Sequence, residues 1–208
     1  MGRPEKAAWE IKNEKNKAGV RWLLAVVVSG YLGYLIETGI GSQIGGSKML
    51  GWFYVAGVSA FVVIANLAVT LAIREGNNTG TFSPVIKYVT MVADLIAVSL
   101  VIIPTGGSES MFFIVYFIVI VSNALRYGMR LAIVGVMSFN VLYVLVLTYQ
   151  YFPRFDIPGF QKEILKVSGF WLVGLYTGYL SRRFELLQGE VEKYEKLVAS
   201  LVAEKQAK

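Results

Sequence analysis

The sequence predicts an all-α, polytopic membrane bundle of six transmembrane helices, followed by a C-terminal cytoplasmic coiled-coil helix. Three observations predict it. Of 208 residues, 55% are hydrophobic and 16% charged, with a mean hydropathy of +0.56, whereas soluble domains run at about 45–50% apolar and about 25% charged. Apolar segments of membrane-crossing length recur along the chain. A heptad of apolar residues follows the last of them. The chain has neither cysteine nor histidine. That removes disulfides, a thiolate nucleophile, the usual general base and any phosphoacceptor histidine within the sequence. No metal, cofactor or catalytic residue is expected, and the class predicted is not an enzyme.

A helix needs roughly 20 mostly apolar residues to cross the hydrocarbon core. The first candidate span is 22–40, followed by the Gly/Ser turn GSQIGGSK. Its basic start fits a secretory signal, but the apolar run is too long and no small-residue cleavage site follows, so it is expected to stay as an anchor. The second span, 49–73, has no charge at all. The third, 85–103, lies between Pro84 and Pro104, good helix punctuation at both ends. The fourth, 110–127, is about 27 Å long as a helix, enough for a thin crossing, with a re-entrant segment as the competing reading. The fifth, 131–152, is closed by Pro153, and the sixth is 164–180.

Charge placement orients these spans. The N-terminal segment 1–21 carries Arg3, Lys6, Lys12, Lys15, Lys17 and Arg21, and 181–208 carries Arg182, Arg183, Lys193, Lys196, Lys205 and Lys208. Arg74, Lys87, Arg126 and Arg130 fall on the same side, leaving only Lys48, Arg154, Lys162 and Lys166 on the other. The positive-inside rule then puts both termini of a multi-pass protein of the inner (plasma) membrane in the cytoplasm. Without the fourth span the basic tail would lie outside. The formal net charge of +6 is accounted for by this asymmetry, and the basic tail is matched to anionic lipid headgroups and not to nucleic acid. Trp22, Trp52, Trp171, Tyr149 and Tyr151 fall near span ends, where interfacial aromatics anchor a helix.

In 181–208 the residues Phe184, Val191 and Val198 occupy a positions, and Leu187, Tyr194 and Leu201, after Leu180, occupy d positions. Valine at a with leucine at d favours a parallel pair. The seam continues the sixth span without a proline, and Gly189 is its weak point. Glu190 would face Glu195 of a second copy, so the expected partner of 180–205 is either another copy or a different protein's helix. An amphipathic helix packed on a neighbouring element is the simpler alternative.

Ionisable groups inside a bilayer are costly and so become candidates for a site. Asp94 lies about 13.5 Å into the third span. Thr90 is one turn away, and Asn66 and Asn140 are expected to converge on it. Asp94 would either bind a polar ligand or carry a proton, or make an interhelical hydrogen bond that holds the bundle together. Glu37 lies near the outer end of the first span. Asn123, Arg126 and Tyr127 end the fourth, where Arg126 meets the negative end of the helix dipole.

The stretch PTGGSESMFFIVYFIVIVSNALRYGMRLAIVGVMSFNVLYVLVLTYQY, from Pro104 to Tyr151, carries a Gly-Gly turn, an aromatic-rich span, an Arg-Tyr-Gly turn and a further span. It resembles the multi-helix membrane input domains of bacterial histidine kinases and diguanylate cyclases. SNALRYGMR also resembles the GNGFRYG-type turn of the diffusible-signal-factor sensor kinases. The resemblance implies a turn at Asn123, Arg126, Tyr127 and Gly128 and an outer loop at Gly106, Gly107 and Ser110, and it transfers no catalytic residue. It implies a signal-input module: a small or lipophilic ligand among the helices would alter the coiled coil and so regulate an output domain or partner outside this chain. An accessory subunit of a larger membrane complex, or a small transporter or channel, is the alternative.

Overall fold

The computed structural model describes residues 19, 21–23, 25–38, 47–79, 84–152 and 159–206. The elements are α1 (residues 25–37, with helical residues 21–23 ahead of it), α2 (Lys48–Thr79), α3 (Pro84–Ile102), α4 (Phe113–Tyr127), α5 (Met129–Tyr151) and α6 (Phe160–Gln206). Two short 3₁₀ turns, Ile103–Thr105 and Gly107–Glu109, join α3 to α4. No strand occurs among the described residues. The basic segment 1–18, most of the GSQIGGSK turn and Pro153 lie outside the described residues.

Among the described residues, three helices are long and apolar enough to cross a membrane: Lys48–Ala72, Val85–Thr105 and Met129–Tyr151. α4 is apolar but shorter. Leucine, isoleucine and valine side chains such as Leu23, Val26, Ile64, Ile118 and Leu172 stand exposed around the helices. Apolar exposure on that scale suits lipid and not water. The chain is a membrane protein.

The breaks between helices follow the punctuation. Gly106, Gly107 and Gly128 have φ of +119°, +58° and +81°, a region that side chains rarely adopt. At Gly128 the N–H caps α4 by donating to the Ala124 carbonyl at 2.8 Å, and its own carbonyl accepts from the Ala132 N–H at 3.2 Å. One residue therefore both ends α4 and starts α5. The expected fourth span is shortened, because Ser110 is extended and its hydroxyl bonds Thr105 (2.5 Å) instead of opening a helix.

The core sits among α3, α4, α5 and α6, around Leu95, Tyr116, Ile120, Phe139, Tyr143 and Phe170. Phe170 stacks between Phe117 and Phe139, with centroids 3.7 and 3.8 Å away, and Phe113 meets five of the neighbouring rings edge-on. Trp171 packs against this core and does not mark a helix end, because α6 starts at Phe160. Leu32, Leu35, Ile36 and Val55 form a second cluster between α1 and α2. The Tyr54 hydroxyl donates to the Leu100 carbonyl at 2.5 Å and ties α2 to α3.

α5 and α6 approach closely at glycines. A Cβ on Gly174 would overlap Val136, and one on Gly178 would lie 2.7 Å from Met129 Sδ and 3.0 Å from Met129 Cα. Small residues four apart let helix backbones come together in an apolar setting. α6 itself is a single helix of 47 residues, about 70 Å long. Beyond Ser181 every residue whose surface is described is exposed.

Candidate functional site

Arg21, just before α1, reaches Asp94 in α3. Its Nε donates to Asp94 Oδ1 at 2.5 Å and its Nη2 to Oδ2 at 2.7 Å. The two side chains are only 12% and 21% exposed. A planar guanidinium gripping a carboxylate with two parallel bonds is the strongest pairing available to these groups, and it satisfies the charges where water is scarce.

The pair borders a crevice of about 280 Å³ among α1, α2, α3 and α4. Its walls are mainly aliphatic, from residues such as Val28, Val58, Val62, Val98 and Val115. Polar groups interrupt them. Ser29 and Ser59 share a 2.7 Å hydrogen bond across α1 and α2. Thr90 donates to the Lys87 carbonyl at 3.1 Å, and Asn123 Nδ2 to the Val119 carbonyl at 2.7 Å. Asn66 is fully buried, and neither its Oδ1 nor its Nδ2 has a hydrogen-bond partner. Arg126 lines the same crevice from the last turn of α4, and its buried Nη1 has no acceptor.

Of the residues singled out in the sequence, Asp94, Asn66, Asn123 and Arg126 line this one crevice. Three do not. Asn140 is in α5, away from that lining, so it does not converge on Asp94. α5 turns its buried side toward the aromatic core. Glu37 is exposed and meets Lys48 at 3.5 Å. The Tyr127 ring lies 5.4 Å from Lys87 Nζ. The seam residues Phe184, Leu187, Val191, Tyr194, Val198 and Leu201 are all exposed, at 53–68%.

On sequence grounds Arg21 belongs with the basic N-terminal residues, although it abuts the first apolar run and carries the charge that Asp94 needs. Sequence reasoning also missed a second polar cluster. Glu163, buried in the first turn of α6, accepts hydrogen bonds from Tyr143 and from Lys166 Nζ (3.1 Å). Lys166 also donates to the Ser108 carbonyl at 2.8 Å, and the Ser108 N–H donates to Gln150 Oε1 at 2.9 Å. These bonds pin the Gly106–Ser110 turn over the end of the core. The i, i+3 spacing of Glu163 and Lys166 was the available signal. Comparison with protein-family models, curated proteins and solved structures gives no match.

Proposed function

We propose that this protein is a membrane signal-input module: occupancy of the α1–α4 crevice changes helix packing, and α6 carries that change to a partner or output domain at its exposed end. The observation that carries this reading is the continuity of α6. Phe170, deep in the aromatic core, and Leu201, 57% exposed, belong to one unbroken helix. A crevice at one side of the bundle is therefore joined to an apolar seam outside it, with α4 contributing to the crevice and also packing on α6. A ligand shifts such an equilibrium only by its differential affinity for the two packings.

In this reading six helices cross the inner membrane, both termini lie in the cytoplasm, and 180–205 pairs with a second copy. The exposed seam equally suits the helix of a different protein, as an accessory subunit would require. Particle mass separates these. The solubilised full chain is expected to be a dimer by light scattering, and the chain lacking 182–208 a monomer. Because the protein has no native cysteine, Val191→Cys is expected to form a disulfide between copies in membranes, and Glu190→Cys is not. A monomeric full chain with no Val191→Cys cross-link overturns the homodimeric form and turns the search to a partner helix.

A further inference from the structure

The crevice holds buried polar groups that the fold itself does not satisfy. Asn66 is fully buried with its side-chain Oδ1 and Nδ2 both unpartnered. A bundle gains nothing by enclosing such a group unless something else meets it, since an unmade hydrogen bond at a buried site is penalised and not merely forgone. Arg126 has no ion-pair partner among the described residues. Arg21 and Asp94 neutralise each other, so Arg126 leaves the lining with one net positive charge.

The opening of the crevice identifies where an occupant comes from. Val27 and Ile118 both line it and are 59% and 61% exposed on the apolar flank of the bundle. An occupant entering there arrives from lipid. The aliphatic walls suit a hydrocarbon chain, and the volume is too small for two. Arg126, at a helix end, lies where a long cationic side chain meets headgroups.

We propose that the crevice binds one anionic phospholipid. One acyl chain lies along Val58, Val62, Val98 and Val115. Its phosphate pairs with Arg126, and its ester carbonyl and a headgroup hydroxyl satisfy the donor and acceptor of Asn66. This deepens the signal-input reading by naming the ligand class of the same crevice, and it rests on that reading for what occupancy does, not for binding.

The test is native mass spectrometry of the full chain, released from nanodiscs of equal phosphatidylglycerol and phosphatidylcholine. The wild type is expected to retain one phosphatidylglycerol in preference to phosphatidylcholine. Arg126→Gln is expected to reduce that preference at least about tenfold, the usual consequence of removing one side of a desolvated charge contact. Asn66→Leu is expected to reduce retention with no loss of thermal stability, because it deletes an unpartnered amide at similar volume. Equal retention of the two lipids overturns the proposal, as does a preference that survives Arg126→Gln. Displacement by millimolar inorganic phosphate overturns it in favour of a soluble phosphate ligand. Unfolding of Asn66→Leu with lipid retention unchanged in Arg126→Gln assigns both residues to structure and overturns it too. Val191→Cys cross-linking in the same nanodiscs separates the two readings. Selective retention with cross-linking independent of lipid keeps the site and removes the signalling role, whereas lipid-independent retention with a responsive cross-link removes the site alone.

Discussion

Asp94 illustrates how one residue is half legible in a sequence. An acid well inside an apolar segment announces itself, because hydrocarbon penalises charge. Its partner does not. Helical periodicity assigns a residue to a face, but Arg21 and Asp94 are 73 positions apart, and only the packing of α1 beside α3 brings them together. Asn140 shows the same limit, since its depth would admit it to the site but it is not among the residues that line the crevice. The pair gives a sharp expectation. Asp94→Asn removes the carboxylate that the Arg21 guanidinium grips and is expected to destabilise the protein by about 3 kcal/mol, as breaking buried ion pairs does. The double replacement Arg21→Met with Asp94→Leu is expected to recover most of that loss. Thermal unfolding of the four proteins in one detergent measures the coupling, and a coupling near zero would show that neither side chain depends on the other.

Among the elements, α2, α3 and α5 were legible, because a predominantly apolar run of crossing length has one way to satisfy its backbone in lipid. Their ends shift by a few residues. α3 begins at Pro84, as expected of a residue suited to a first helical turn, while α2 runs on to Thr79. The glycines of α6 are a different case. Their role depends on what lies opposite. Gly178→Ala forces a methyl against Met129 Cα and Sδ and is expected to lower stability by about 1–3 kcal/mol, the cost of overpacking. Gly189→Ala meets nothing within 4 Å and is expected to stabilise its part of the helix by about 1 kcal/mol through propensity. Thermal unfolding reports the first, and amide hydrogen exchange across 181–206 the second. If both substitutions act alike, close approach is not what Gly178 provides.

For the whole molecule, composition settled membrane residence and the all-helical class, while the number of crossings rests on charge asymmetry. That argument is open to direct test in a chain without cysteine. Single cysteines at Glu109 and Ser200, both exposed, are expected to react with a membrane-impermeant maleimide from opposite sides of the membrane. Labelling from one side would remove a crossing from α4, α5 or α6. Finally, α6 has the mechanics of a cantilever. Among the described residues its last hydrogen bond to the rest of the bundle is from the Ser181 hydroxyl, which donates to the Leu125 carbonyl at 3.3 Å. From there to Gln206 the free arm is about 37 Å long. Rocking the clamped part by about 5° swings the tip by about 3 Å, comparable to the about 4 Å within which apolar side chains touch. A displacement too small to break any hydrogen bond in the helix is therefore large enough at its far end to make or part a contact.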